Sequence, residues 1–265
     1  MSDALFVRSG EAFEPAELAQ GPWAAGFLHG GPVLGLLAHG AEAHRPGGDF
    51  VAARLTVDLH HAVPMAPLEL AASVVRRSRR MGLVDVAMRA DGREVARASA
   101  LFLRTSDAPE QAPVAGAGPP PRGPHGLATT SVVPKGTSPG VPPGFHREVE
   151  VRWSGATGTS AAWLRMPMTL VEGAACTPFE RVAALADLGN AVASMARLGD
   201  GAPHVPYINP DVSVALEREP GSEWIAFATT VLSETRGVGL VETAMWDEQG
   251  PIGRAFSARL YNPGK

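Results

Sequence analysis

One carboxylate lies in a setting suited to acid–base chemistry. Asp187 falls in the segment FERVAALADLGNAVASM, whose apolar residues recur with the period of a helix. The helix face that carries Asp187 is otherwise built from small residues: Ala183, Ala184, Asn190, Ala191 and Ser194. A carboxylate there could accept a proton or hold a water molecule, provided that apolar surroundings raise its pKa. The competing interpretation is structural, with Asp187 bonding Asn209 or a backbone N–H and fixing the helix on a sheet.

A second candidate lies at the start of the first predicted helix, where Gly30 and Gly31 follow His29. Free backbone N–H groups at a helix start can bind an oxyanion or a phosphate. We favour the plainer interpretation, a tight entry turn. His29 could line a cleft, although a single histidine more often serves as a packing partner.

The densest basic cluster of the sequence comprises Arg76, Arg77, Arg79 and Arg80. Arginine matches the geometry of phosphate groups, so Arg79 and Arg80 are candidates for binding a phosphorylated ligand. A solvated strand end is the alternative interpretation.

Metal and thiol chemistry are poorly supported. Asp58 and His60 fall on one face of a predicted strand and His61 on the other, and no third ligand is evident. We therefore expect no metal and no cofactor. Cys176 is the single cysteine, which excludes an intrachain disulfide and fits a reducing compartment. With no histidine nearby in the sequence to activate it, we interpret Cys176 as a small packed residue.

The elements that must position these residues occur twice. The segment RRMGLVDVAMRADGREVARASAL at 79–101 matches RGVGLVETAMWDEQGPIGRAFSA at 236–258 when one half is shifted by about 157 positions. The same shift places Gly30 on Asp187, so the first copy lacks the carboxylate.

Each copy has the pattern of a helix followed by four strands. Alternating and β-branched runs predict strands at 53–61, 68–77, 83–89 and 94–104, with a turn at Asp91-Gly92. The second copy predicts strands at about 210–218, 223–234, 238–246 and 251–261. The first helix is predicted at about 32–44. The second begins with a capping box, in which Thr177 is the N-cap and Glu180 the third helical residue, and continues to Met195.

A Pro- and Gly-rich segment separates the copies and is typical of a linker. The sequence thus predicts a first domain at 1–105, a linker at 106–145 and a second domain at 146–265.

Bulk properties exclude several function classes. The chain has 265 residues, of which 45% are hydrophobic. Its net charge of −4 lacks the positive excess that is typical of nucleic-acid-binding proteins. No apolar run approaches the length of a membrane span, and the first residues lack the pattern of a signal peptide. We expect a cytoplasmic protein with no membrane or nucleic-acid partner.

The order of these elements, helix and antiparallel sheet repeated after a linker, is that of an α+β double hot-dog fold. The stretches GFLHGGPVLGLLAH, LTVDLHHAVPMAPLEL and FERVAALADLGNA, together with YINPDVSVALEREPGSEW and GPIGRAFSARLY, resemble bacterial type II acyl-CoA thioesterases and their relatives. The resemblance implies two antiparallel sheets, each wrapped around a long helix, and an acyl-CoA site near their junction. A two-copy chain already satisfies the usual pairing of hot-dog units, which leaves further homo-oligomerisation open.

In that family an Asp on the second-half helix, a Thr or Ser at the following strand and a Gln on the last strand position the attacking water. Asp187 matches the Asp. The hydroxyl position falls on Asn209, and the Gln position falls on or next to Ser257.

Three functions follow from the resemblance. The first is hydrolysis of a fatty or small acyl-CoA to free acid and coenzyme A. The second is a non-catalytic acyl-CoA-binding protein, which the departures at Asn209 and Ser257 favour. The third is an enoyl-CoA hydratase or dehydratase, because Asn209-Pro210 faintly resembles a hydratase signature whose following histidine is missing.

Overall fold

The protein is described by a computed structural model that covers residues 3–109, 120–133, 141–154, 161–198 and 207–262, without the side chains of 196–198. The first half contains β1 (Ala4–Ser9), β2 (Ala12–Pro15), a short 3-10 helix (Glu17–Ala19), α1 (Gly30–Glu42), β3 (Phe50–Leu59), β4 (Leu68–Arg77), β5 (Met81–Ala90) and β6 (Arg93–Arg104). The second half contains α2 (Phe145–Glu148), β7 (Glu150–Trp153), β8 (Ala161–Arg165), β9 (Thr169–Val171), α3 (Pro178–Ala186), α4 (Gly189–Leu198), β10 (Tyr207–Ile208), β11 (Asp211–Leu216), β12 (Ile225–Thr235), β13 (Val238–Asp247) and β14 (Gly250–Tyr261).

The strand order is the same in the two halves. The four main strands are arranged β3-β6-β5-β4 in the first half and β11-β14-β13-β12 in the second. All of these neighbours are antiparallel. Asp91 and Gly92 both have positive φ, as the tight turn between β5 and β6 requires. The eight predicted strands of the repeat are therefore present, with ends shifted by a few residues.

The two halves share a single sheet of 14 strands, whereas the sequence predicted two sheets. The junction is the antiparallel pair β3–β11, in which Thr56 lies opposite Ser213. These two positions correspond to each other in the internal repeat, so an approximate two-fold axis passes between them. Unpaired, β3 and β11 would each expose a row of N–H and C=O groups, and their pairing satisfies both edges.

The helices lie against one face of this sheet, and α1 packs on α3. The predicted capping box is present: the Thr177 hydroxyl accepts from Glu180 N–H, and the Glu180 carboxylate accepts from Thr177 N–H. The predicted continuous helix is wrong beyond that point, because α3 ends at Ala186 and α4 starts at Gly189. In the break, Leu188 N–H donates to Leu185 O, three residues back rather than four.

The core is continuous across the two halves. Phe102 of β6 meets Phe179 of α3 edge-to-face, with ring centroids 5.9 Å apart. A separate cluster on the other face of the second-half sheet contains Trp163 and Trp246 and packs against Leu127.

Part of the predicted linker packs on the second half. Thr130 pairs with Val151 of β7, and the Trp163 indole N–H donates to Arg122 O. The predicted boundaries at 105 and 146 remain predictions. No helix within the described ranges is long and apolar enough to cross a membrane.

The shared sheet and core make a specific prediction: the two halves unfold together. Four of the five tryptophans lie in the second half, so their fluorescence reports mainly on that half, whereas far-UV circular dichroism reports on both. In a urea titration we expect the two signals to give one coincident transition. A fluorescence transition that is complete before the dichroism changes would contradict a common core.

Candidate active site

Asp187 occupies the break between α3 and α4 and points across the interface between the halves. It is 7% exposed. Its carboxylate lies against the first turn of α1, where a Cβ on Gly30 would fall 2.5 Å from Asp187 Oδ1. Gly30 and Gly31 are the first residues of α1 and neither has a positive φ, so the interpretation as a tight entry turn is wrong. Because Gly30 has no side chain, it leaves free the space that the Asp187 carboxylate occupies.

Three donors from both halves surround this carboxylate. Asn209 Nδ2 donates to Oδ1 at 2.7 Å, and His29 Nδ1 lies 2.9 Å from Oδ2. The backbone N–H of Gly31 also bonds the carboxylate. The group thus sits at the positive end of the α1 dipole, in the position where helix N-termini hold anions. The anion at this helix start is Asp187 itself.

The proton position on His29 follows from these contacts. His29 Nδ1 is 3.1 Å from Gly31 N as well as 2.9 Å from the Asp187 carboxylate. One ring nitrogen cannot accept from Gly31 and donate to Asp187 at the same time. Because an ionised carboxylate only accepts hydrogen bonds, we assign the proton to His29 Nδ1, with Gly31 N–H directed to the carboxylate.

The surroundings keep Asp187 ionised. Burial by itself would raise the pKa of Asp187, but the hydrogen bonds from His29, Asn209 and Gly31 lower that pKa below its ordinary value. The condition under which Asp187 could accept a proton, a pKa raised by apolar surroundings, is therefore not met, since the burial is accompanied by donors. A carboxylate of lowered pKa is a poor proton acceptor and a good orienting group for an imidazole.

His29 is the group that Asp187 orients. It is the N-cap residue of α1 and is 8% exposed. With the proton on Nδ1, its Nε2 carries a lone pair, and within the described chain that nitrogen has no protein partner. A carboxylate holding one nitrogen of an imidazole, so that the other can take a proton, is the arrangement of a general base.

Two aromatic side chains of α2 hold the His29 ring. The Phe145 and His29 ring centroids are 5.2 Å apart, and the His146 ring stacks on the His29 ring with centroids 6.1 Å apart. His146 is 1% exposed, and its Nε2–H donates to Pro142 O at 3.1 Å. Burial, and the repulsion that a protonated His29 and Arg147 exert on a second positive charge, lower the pKa of His146 to about 4. A neutral ring therefore covers His29. Sequence reasoning missed both α2 and His146, because neither belongs to a periodic pattern.

Ser257 lies in a pocket beneath the helix break. On one side the space is enclosed by Ala186 and Gly189, which flank Asp187 and Leu188 in the helix break. On the other side it is enclosed by the second-half sheet, through Val212, Val241, Thr243, Ala255, Phe256 and Ser257. No hydrogen bond joins Ser257 to Asp187 in the described structure. Of the other predicted catalytic residues, Asn209 contacts Asp187, whereas Ser257 lines a pocket that includes neither Asp187 nor Asn209.

Arg79 and Arg80 lie at a distance from this site. They are exposed in the turn between β4 and β5. Arg77, at the end of β4, donates to His44 O beyond the C-terminal end of α1. The 13 residues of α1 span about 20 Å. The turn lies near the C-terminal end of α1 and Gly30 at its N-terminal end, so the two are about 20 Å apart along the helix. Their role as phosphate ligands remains a prediction.

Comparison with known proteins gives a consistent result. The model of the acyl-CoA thioesterase N-terminal domain matches residues 19–103, and that of the acyl-CoA thioesterase C-terminal domain matches residues 106–256. No curated protein shows significant similarity to the chain.

Solved structures share its fold. A protein assigned as thioesterase II from Thermobifida fusca is 17% identical, covering 97% of this chain and 95% of that one, with a TM-score of 0.68. One assigned as a thioesterase from Novosphingobium aromaticivorans is 22% identical, covering 97% and 98%, with a TM-score of 0.69. A protein of unknown function with a hot-dog fold from Alicyclobacillus acidocaldarius is 16% identical, covering 98% and 96%, with a TM-score of 0.66. The fold of the chain is therefore the hot-dog fold.

The contact between Gly30 and Asp187 predicts the effect of a single methyl group. Gly30→Ala forces the carboxylate out of its position, which we expect to lower the free energy of unfolding by about 1–3 kcal/mol. The matched control is Gly48→Ala, because a Cβ on the exposed Gly48 meets no atom within 4 Å. Urea unfolding of both variants tests this. Equal stability of the two variants would contradict the proposed steric role of Gly30.

His146 predicts a loss of stability in mild acid. Its pKa of about 4 in the folded chain is below the ordinary value of 6.5, so the unfolded chain binds a proton first as the pH falls. The free energy of unfolding should therefore decrease between about pH 6.5 and 4, by up to about 3 kcal/mol from this group. His146→Phe keeps the stacked ring and should flatten this dependence, whereas His125→Phe, at an exposed histidine, should not. An unchanged slope in His146→Phe would show that another group causes the loss.

Proposed function

The chain belongs to the acyl-CoA thioesterase family, and we propose that it hydrolyses the thioester bond of an acyl-CoA to a carboxylic acid and coenzyme A. The observation that carries this proposal is the buried contact between Asp187 and His29 at 2.9 Å. It places a held imidazole at the junction of the two halves.

In the proposed mechanism His29 is the general base. A water molecule attacks the thioester carbonyl carbon while His29 Nε2 takes its proton. Asp187 holds the Nδ1 proton and stabilises the positive charge that develops on the ring. The tetrahedral intermediate collapses with cleavage of the carbon–sulfur bond, and the proton on His29 passes to the leaving sulfur. The products are one carboxylic acid and one free thiol.

Asn209 has a supporting role in this scheme. One of its amide hydrogens is used by Asp187. Its second N–H and its carbonyl oxygen are available to orient the water or to donate to the developing oxyanion. By resemblance, Asn209 corresponds to the family's hydroxyl position and the glutamine position falls on or next to Ser257. We propose that His29 supplies the basicity that this changed set lacks.

The basic turn is consistent with the same substrate. The diphosphate of coenzyme A is separated from its sulfur by the pantetheine arm, so its phosphates bind far from the reacting carbonyl. We propose that Arg79 and Arg80, about 20 Å along α1 from Gly30, contact these phosphates.

A non-catalytic acyl-CoA-binding protein is the second candidate. The observation that favours it is the amide of Asn209 at the hydroxyl position, since an amide neither accepts nor releases a proton at neutral pH. In that case Asp187, His29 and Asn209 would form a structural network that fixes α1 on α3.

Single substitutions distinguish the two candidates. We expect His29→Gln and Asp187→Asn each to lower kcat by about 10²–10⁴-fold, because general-base assistance is lost while the binding surface remains. The measurement is thiol release from acyl-CoAs ranging from acetyl to palmitoyl. Glu94→Gln is the control, since Glu94 pairs with Arg97 on the surface, away from the site.

Binding is measured in parallel by calorimetry with the same acyl-CoAs. Wild-type protein that binds acyl-CoA without releasing thiol would support the binding protein and refute hydrolysis. Variants that turn over like the wild type would refute the assigned roles of His29 and Asp187.

A further inference from the structure

Two large aromatic side chains are exposed in the loop that leads to His29. Trp23 is 60% exposed and Phe27 is 40% exposed. The loop reads GPWAAGFL over residues 21–28, so it has no charged side chain, and its only polar side-chain group is the Trp23 indole N–H. Apolar surface that is concentrated in one place and left open to water is typical of a site that binds an apolar group.

The backbone places Phe27 on the same side of the chain as His29. Phe27 and Leu28 both form antiparallel bridges, and His29 continues in the extended conformation, with φ −70° and ψ 146°. Side chains alternate along an extended chain, so those of Phe27 and His29 face the same way, about 7 Å apart at their Cα atoms. Leu28, between them, is buried in the core. The phenyl ring therefore projects from the same side of the chain as the imidazole that we assign as the general base.

Hydrogen bonds fix the loop in this position. Gly21 N–H donates to Phe27 O at 2.8 Å and closes the loop at its neck. Met65 N–H donates to Gly26 O at 2.8 Å, and the Gln20 side-chain oxygen accepts from Gly26 N–H at 3.1 Å. Gly26 has a φ of +86°, a conformation that favours glycine. A surface held in this way is formed before a ligand arrives, which reduces the entropy lost on binding.

Trp23 extends the apolar surface beyond Phe27. It lies two residues from Gly21, which is bonded to Phe27, so at most about 7 Å of extended chain separates Trp23 from the neck of the loop. Pro64 lies directly opposite Phe27 in their antiparallel bridge and widens the surface there. The apolar surface thus starts next to His29 and continues outward over a length that several methylene groups can cover.

The two parts of an acyl-CoA leave the thioester carbon in different directions. In the proposed arrangement the coenzyme A part runs along α1 towards Arg79 and Arg80, near the C-terminal end of that helix. The loop 21–28 lies at the other end, just before α1 begins at Gly30. The part of the substrate that is available to this loop is therefore the acyl chain.

We propose that Phe27 and Trp23 bind the acyl chain, Phe27 next to the carbonyl group and Trp23 further along the chain. This inference rests on the proposed thioester hydrolysis and specifies its substrate class, which is apolar acyl-CoA of medium or greater chain length. Both side chains are open to water on one side, so a chain that extends past Trp23 continues into solvent. Chains longer than this reach gain no further contact.

The size of the effect follows from the area covered. Removing one methylene group completely from water strengthens binding by about fourfold. On an open aromatic surface about half of each group is covered, which gives about twofold for each methylene group in contact. The preference should therefore rise steeply between acetyl and octanoyl chains and then level off.

The test compares kcat/KM for acetyl-CoA, butyryl-CoA, octanoyl-CoA and palmitoyl-CoA by thiol release. We expect the wild type to prefer octanoyl-CoA to acetyl-CoA by at least about tenfold, with palmitoyl-CoA close to octanoyl-CoA. Trp23→Ala should lower the octanoyl-to-butyryl ratio by about 5–30-fold, and Phe27→Ala should lower the butyryl-to-acetyl ratio by about 2–5-fold. Trp23→Phe, which keeps an aromatic ring at the tip of the loop, should retain most of the preference for octanoyl-CoA.

Val238→Ala is the matched control, since Val238 is also 60% exposed but lies in β13 of the second half. A wild type that prefers acetyl-CoA, or a Trp23→Ala variant with unchanged substrate ratios, would overturn the inference while leaving hydrolysis intact. A wild-type protein that hydrolyses none of the four substrates would overturn the proposed function itself, and the inference with it.

Discussion

A buried negative charge constrains the whole interface between the two halves. Asp187 is enclosed by protein, and an isolated carboxylate in that setting would be strongly destabilising. Two of its three donors come from the other half, namely the His29 side chain and the Gly31 backbone at the start of α1. The site therefore exists only when α1 docks on α3, and the same contacts that stabilise docking orient the imidazole.

The internal repeat explains why one charge is present and not two. Gly30 and Asp187 are equivalent positions of the repeat, as are Thr56 and Ser213, and each pair meets across the same approximate two-fold axis. Two carboxylates facing each other there would repel, and the space beside Gly30 is already filled by the carboxylate of Asp187. The glycine of the first copy is thus the complement of the acid in the second, which makes the duplicated chain asymmetric at the proposed catalytic site.

Features determined by local pattern could be predicted from the sequence. The repeated strands, the turn at Asp91-Gly92 and the capping box at Thr177 all follow from neighbouring residues. Joining of the two sheets could not be predicted, because it depends on the pairing of β3 with β11, about 150 residues apart in the chain. The partnership of His29 with Asp187 was missed for the same reason. The bond from Asn209 to Asp187 was predicted as the structural alternative, whereas the bond from His29, which also lowers the pKa of Asp187, was not.

The account depends most directly on His29 and Asp187 acting as one unit, and a double-mutant cycle on kcat/KM tests this. Residues that share one function are strongly non-additive, so removing the second should cost little once the first is gone. The account predicts that the double variant His29→Gln/Asp187→Asn hydrolyses acyl-CoA about as slowly as the worse of its two parents. A double variant whose loss equals the product of the two single losses would contradict it.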